Sequence, residues 1–366
     1  MTNHPTVGVE EEFLLVDPAT GEPIARNRQV AEHAGAAGVD LQLELTSCQV
    51  ETASEVASSS AELREQLGRL RRTAGEAADA AGARLLAVAL PPTVPHEFPI
   101  TDSPRYRRIA ERFGMIAREQ GICGCHVHVA VPTREAAIRV SNRLRPWLPL
   151  LLALTANSAI YRNADSGYAS WRQVLWSRWP SAGPPPHFDS VDEYDATVQM
   201  MEHTGAMLDD GMVYWDVRPS ANFPTIEVRA SDVPATVAES VLLAALTRAA
   251  VMTALDDERS GADYPRISPH ALRAAYWKAA RDGLSGDAVD LVEAHAPAPA
   301  VDLLHGFVDR IAPALRDVGD YELVRDELDR VAEQGNGAMR QRAAWQRRED
   351  VADVIDAAST ATLEGV

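Results

Sequence analysis

Short apolar runs with period-two alternation take turns with longer stretches of helical spacing along the first half of the chain. Thr6–Val16 (TVGVEEEFLLV) and Leu41–Thr52 read as strands. Between Ser59 and Ala81, Leu63, Leu67 and Leu70 recur at helical spacing. Arg84–Leu90 is a short apolar strand ended by Pro91-Pro92. Ser103–Gln120 opens with Ser-Pro, an N-cap followed by the favoured first helical residue, and predicts a helix. Ile122–Val131 reads as a strand, and Thr133–Ile160 as a helix interrupted near Pro146 and Pro149. Residues 161–189 follow neither period, and their interleaved aromatics and arginines predict an ordered, ligand-facing loop. A helix, Val191–Met207, leads to two strands, Met212–Arg218 and Thr225–Ser231. From Ala235 the pattern is almost wholly helical. No repeat and no linker-like segment interrupts it. The expectation is one α+β domain over residues 1–366, sheet-rich to about 232, with an antiparallel sheet and helices packed on one side.

The strand alternation carries charges on one face. In GVEEEFLLVDP, Glu10 and Glu12 share a face, while Glu11 shares the other with Val9, Phe13 and Leu15. A pair of carboxylates on one face suits either a solvated edge strand or oxygen ligands for a divalent cation. The second strand supplies Glu44 and Glu51, which simple parity puts on opposite faces unless a bulge or strong twist intervenes. The third, CGCHVHVAVP, places His126 and His128 together. Later strands pair Asp216 with Arg218 and Glu227 with Arg229. Cross-strand salt bridges would explain each of these alone. Five such strands in one sheet would instead gather carboxylates, imidazoles and guanidiniums on a single face. That composition suits Mg²⁺ or Mn²⁺ and arginine-neutralised phosphates better than zinc.

Composition narrows the reading. The formal net charge of −18 argues against nucleic acid or an anionic membrane as partner. The start lacks a signal-peptide pattern, and the richest apolar run, Trp147–Ala156, is too short for a membrane span and reads as a buried helix. A cytoplasmic protein is expected. Cys48, Cys123 and Cys125 have no zinc-site spacing and predict buried thiols. Of 35 basic residues only Lys278 is lysine, and it follows no Gly-rich turn, so a Walker A loop is excluded. Phosphate handling would fall to arginines and metal ions.

The strings GVEEEFLLVDP, LELTSCQVET, CGCHVHV, DSGYASWR, WDVRPS, PTIEVRASDVP and GNGAMRQR, in this order from about residue 7 to 342, closely resemble the carboxylate–amine ligases of the glutamate–cysteine ligase type 2 family. The resemblance implies a glutamine-synthetase-like fold, a curved antiparallel sheet with helices on its convex side and ATP with two or three Mg²⁺ on its concave face. It implies that Glu10, Glu12, Glu44, Glu51, His126 and Glu227 are metal ligands. It places Arg229 near the transferred phosphate, Arg218 and Arg172 as further anion binders, and His128 on the nucleotide side. Glu51, Arg218 and Arg229 would be the residues closest to the chemistry. Ser47 departs from relatives that carry glutamate there. The implied reaction joins L-glutamate and L-cysteine through an acyl phosphate, with small-molecule acid and amine as partners and a homodimer or larger homo-oligomer as the assembly.

Other readings stay open on the residues alone: the same ligation on another acid–amine pair, a guanidino-kinase-like phosphotransferase, a metal-dependent hydrolase built on His126 and His128, or a binding protein without turnover.

Overall fold

The computed structural model describes residues 4–95, 97–293 and 296–366. The alternating segments form a seven-stranded antiparallel sheet: β1 (Val7–Val16), β2 (Gln42–Leu43), β3 (Gln49–Ala53), β4 (Arg84–Leu86), β5 (Gly124–Ala130), β8 (Val217–Pro219) and β9 (Thr225–Asp232). Strand order is β2-β3-β1-β5-β9-β8, with β4 also paired to β1. Two minor hairpins are β6 (Ile160–Tyr161) with β7 (Ala164–Asp165), and β10 (Asp287–Val289) with β11 (Pro297–Pro299).

Helices between the strands are α1 (Asn27–Ala36), α2 (Ser60–Ala80), α3 (Pro104–Phe113), α4 (Met115–Arg118), α5 (Arg134–Leu144), α6 (Leu148–Thr155), α7 (Trp171–Trp176) and α8 (Val191–His203). After the sheet come α9 (Val237–Ser260), α10 (Pro269–Asp282), α11 (Ala300–Val318), α12 (Tyr321–Gln334), α13 (Gly337–Arg348) and α14 (Val351–Thr362).

The apolar sheet face packs on α2, α5, α6 and α9. One core runs from Val7 through Phe13, Val127, Val228 and Leu243 to Ala358, so N- and C-terminal segments bury the same surface. By length and hydropathy α9 could cross a membrane, but 89% of its most apolar window is buried inside the protein. It is the central core helix. A second apolar cluster, built around Ile109, Trp176, Trp179, Phe188 and Trp215, flanks the opposite, polar face.

Several boundaries differ from the pattern. Leu41–Thr52 is a hairpin rather than one strand: Gln42 pairs with Glu51 and Leu43 with Val50 around a turn closed by Gln49 N–H to Thr46 O. Ser103–Gln120 breaks at Gly114, whose φ of +55° suits glycine, giving α3 and α4. Strand pairing covers only 217–218 of Met212–Arg218, continuing to Pro219, and 84–86 of Arg84–Leu90, because turns at Asp210–Met212 and after Leu86 carry the chain off the ladder. Within 161–189, β7 and α7 are ordered elements.

Glu11 has the partner its buried face demands. It is fully buried and meets Arg71 of α2, with Arg71 Nε 3.1 Å from Oε2 and Nη2 2.5 Å from Oε1. Arg71 also donates to the carbonyls of Pro234, Ala235 and Thr362, and Ser240 Oγ donates to Glu11 Oε1 at 2.6 Å. This satisfied pair ties β1 to α2, the start of α9 and the end of α14.

Candidate active site

Sheet register converts the alternation into a two-dimensional array. Across the polar face Glu12 lies opposite Glu51, Glu10 opposite His126, His128 opposite Glu227, and Glu227 opposite Arg218. Glu44 joins them for a reason the parity argument missed. The chain reverses between residues 43 and 49, so Glu44 falls on the same hairpin face as Gln42, and Gln42 faces Glu51. A bulge in β9 does comparable work: register shifts between Cys125 and Val127, leaving Arg229 and Ala230 opposite His126.

Three groups of side chains bring their ligand atoms within 4.8 Å of one another: Glu10, Glu51 and His126; Glu10, His128 and Glu227; and Glu12, Glu44 and Glu51. Glu10 and Glu51 are shared between groups. Glu10 Oε2 lies 3.2 Å from His126 Nδ1, and Oε1 lies 3.5 Å from His128 Nε2. Glu12 Oε2 accepts the Gly124 N–H at 2.6 Å. Arg218 Nε donates to Glu227 Oε2 at 2.8 Å, and Arg229 Nη1 donates to Glu227 Oε1 and lies 3.3 Å from His126 Nδ1.

The electrostatics follow from that geometry. Burial raises Glu12, Glu44 and Glu51 above the usual carboxylate range, and at Glu51 the neighbouring Glu44, Glu10 and Glu12 push further the same way. Burial would also raise Glu10 and Glu227, but His126 and His128 hold Glu10 far below its ordinary value, and Arg229 and Arg218 do so for Glu227. Burial, then Arg229, lowers His126 and keeps its imidazole neutral and able to ligate. Three crowded carboxylates with raised pKa values are what a divalent cation would relieve. The oxygen-rich donor sets with one imidazole each in two groups fit Mg²⁺ or Mn²⁺.

Arg172 reaches this array from α7. It is only 2% exposed, and its Nε and Nη1 have no hydrogen-bond partner among the described residues. A Cβ on Gly124 would stand 2.7 Å from Arg172 Nη2 and 3.3 Å from His126 Nε2, so glycine there admits the guanidinium. Behind it, Asp232 stands 3.7 Å from Arg172 Nη1 and accepts 2.8 Å bonds from Ser158 Oγ, Ser170 Oγ and the Asn157 N–H. Asn157 is gripped in turn by Gln341, and a Cβ on Gly337 would meet Asn157 Oδ1 at 2.1 Å. The GNGAMRQR and DSGYASWR strings thus act largely as scaffolding that aims Arg172.

A cavity of about 200 Å³ opens over Glu10, Glu12, Glu44 and Glu51 and includes His126, Arg172, Arg218 and Arg229. Arg105 and Tyr106 of α3, Trp176 of α7 and Tyr214 also line it. Strand alternation could not find Arg105, Tyr106 and Trp176, which sit on helices; Tyr214 shares the parity of Arg218 in the expected Met212–Arg218 strand but lies outside the ladder. His128 and Glu227 join through the second ligand group rather than lining this cavity. Asp216, fully buried, does not line it either; burial raises its carboxyl to about 6.

Residues 6–357 match the sequence profile of glutamate–cysteine ligase family 2. A Mycobacterium sp. (strain KMS) protein named "Putative glutamate--cysteine ligase 2-2" is 76% identical over 363 residues, 99% of this chain and 100% of that one. A Salinispora arenicola protein named "Putative glutamate--cysteine ligase 2" is 48% identical, covering 96% of this chain and 93% of its own. The crystal structure of Francisella tularensis glutamate–cysteine ligase in complex with AMP aligns with a TM-score of 0.68 at 14% identity, over 99% of this chain and 89% of that one, and shows the same fold. With the profile matched over residues 6–357 and a relative 76% identical along its whole length, the chain belongs to glutamate–cysteine ligase family 2.

Proposed function

We propose that this protein is a cytoplasmic, ATP-dependent carboxylate–amine ligase that joins L-glutamate to L-cysteine as γ-glutamylcysteine. The observation that carries the reading is the row of three ligand groups sharing Glu10 and Glu51, flanked by Arg218, Arg229 and Arg172. Family membership and the names of its relatives support the substrate pair.

Glu10, Glu12, Glu44, Glu51, His126, His128 and Glu227 would hold divalent cations, which when bound neutralise the ATP phosphates and the charge of phosphoryl transfer. The chain's own residues do the rest. Glu227 fixes Arg218 and Arg229, so two guanidiniums stand ready for the equatorial oxygens of the transferring phosphoryl group. Asp232 and Gly124 place Arg172, a cavity-lining guanidinium that suits an anionic group of substrate or acyl phosphate. Trp176, Ile109 and Leu45 add apolar surface to the cavity lining. The substrate carboxylate takes the γ-phosphoryl group from ATP and releases ADP; the amine then displaces phosphate and loses its proton.

The test is a pooled screen of acids and amines with Mg-ATP, read by mass spectrometry for condensed product and by ADP release. Glutamate with cysteine should give the largest product signal, with full turnover requiring both. Efficient phosphorylation of a guanidino compound without any carboxylate would overturn the reading.

A further inference from the structure

Four arginines among the described residues are no more than 4% exposed: Arg71, Arg145, Arg172 and Arg248. Arg71 is paired with Glu11, Arg172 Nη1 lies 3.7 Å from Asp232 Oδ1, and Arg248 Nε donates to Pro5 O at 2.7 Å. Arg145 differs from all three. Among the described residues its side chain makes no hydrogen bond and no ion pair, and its Nε is buried. Arg143, two residues earlier, is by contrast held by Glu258, by Ala262 O at 2.7 Å and by the Tyr264 ring, whose centre lies 4.5 Å from its Cζ.

Arg145 caps the C-terminus of α5, outside the active-site cavity, and its surroundings supply phenols rather than carboxylates. Tyr276 of α10, a helix that packs on α6 and α7, is 4% exposed, and its hydroxyl has no hydrogen-bond partner among the described residues. Burial raises that phenol well above its ordinary value, so it keeps its proton. Burial lowers Arg145 below its ordinary value, opposed only by the phenols of Tyr276 and Tyr264. The Tyr264 hydroxyl is already engaged by His187 Nε2 at 2.7 Å. Burial and then Arg266 lower His187, and Arg145 acts on it in the same direction. Asp189 is taken by Arg266 at 2.8 Å and His187 at 3.5 Å. Asp216 acts on Tyr276 but forms no ion pair with Arg145.

We infer that Arg145 and the Tyr276 hydroxyl form a buried binding site for a small inorganic monoanion of the chloride class. An enclosed guanidinium is strongly disfavoured unless negative charge and hydrogen-bond acceptors compensate it. The dipole at the end of α5 favours a cation there, but that effect is a small fraction of the desolvation cost. Arginine carries only donors, more than one phenol oxygen can accept, so the site lacks acceptors and negative charge together. An anion supplies both. The enclosure selects a small ion, and the negative charge of Asp216 near Tyr276 disfavours a dianion such as phosphate. A bound anion would tie the end of α5 to α10, behind the sheet. This inference is independent of the ligase reading.

The test uses halides on the full chain. Crystals soaked in sodium bromide and measured at the bromine absorption edge should show an anomalous peak in contact with the Arg145 nitrogens and Tyr276 Oη. Water without anomalous signal at that position overturns the inference. The second arm follows the melting temperature as chloride replaces gluconate at constant ionic strength, from about 10 mM to about 1 M, a range over which a specific site gives a rise of about 1–3 °C. Wild type should show that rise and Arg145→Met should lose it. In chloride-free buffer Arg145→Met should melt at or above wild type, because it removes an uncompensated buried charge. Equal chloride dependence in the two proteins overturns the inference. Tyr276→Phe, which keeps the ring, should weaken the dependence and supplies the comparison if Arg145→Met does not fold.

Discussion

Replacing Glu51 by Gln should move stability and activity in opposite directions. Glu51 sits in two ligand groups, and in one of them its carboxylate oxygen lies within 4.8 Å of those of Glu12 and Glu44. At an effective dielectric constant of ~20, two full charges 4.8 Å apart repel by about 3.5 kcal/mol. Proton uptake caps that cost, since Glu51 is raised well above its ordinary value. The metal-free variant should therefore gain roughly 1–2 kcal/mol, a rise in melting temperature of about 1–3 °C. A neutral amide cannot replace a carboxylate shared between two cation groups, so Mg-ATP turnover should fall about 100-fold or more. Differential scanning fluorimetry without divalent ions and a coupled ADP assay with excess Mg²⁺ read the two effects. A variant that melts lower without metal yet turns over normally would refute the charge-crowding argument.

Two further outcomes test the same physics elsewhere. Glu12, Glu44 and Glu51 have folded pKa values raised above 4.5, so without metal their stabilising contribution is present below that pH and is lost as pH rises through the raised values. Cations need the ionised form, so the Mg²⁺-induced rise in melting temperature should grow between about pH 5 and pH 8, and a constant rise would contradict it. Arg71→Ala leaves the Glu11 charge buried and alone, and should cost about 3–5 kcal/mol in urea unfolding; an unchanged midpoint would show that the pair contributes no stability.

Much of the site was legible along the chain because strand alternation has an exact period. Splitting Glu10 and Glu12 from Glu11 needed only that period, and the burial of Glu11 against Arg71 follows from it. The identity of Arg71 as partner was not legible: it lies 60 residues away on a helix whose leucine stripe marked only its apolar side. Glu44 shows where parity fails. Residues 41–52 look like one strand, since a hairpin with a short turn preserves apolar alternation on both arms while reversing direction.

Local sequence therefore decided which residues face which way, since side-chain alternation and helical spacing are set by backbone geometry within a few residues. It also decided the chemistry, leaving glutamate, histidine and arginine to do what no Gly-rich Lys loop was present to do. Register, reversal and long-range support belong to the tertiary structure. Pairing of β1 with β3 and β5 brought Glu12 to Glu51 and Glu10 to His126, and the β9 bulge set Arg229 and Ala230 against His126. Packing of α3 and the 209–214 segment against the cavity added Arg105 and Tyr214. These pairings join residues dozens to hundreds of positions apart. Their free energy comes from burying the common core, which no local pattern encodes.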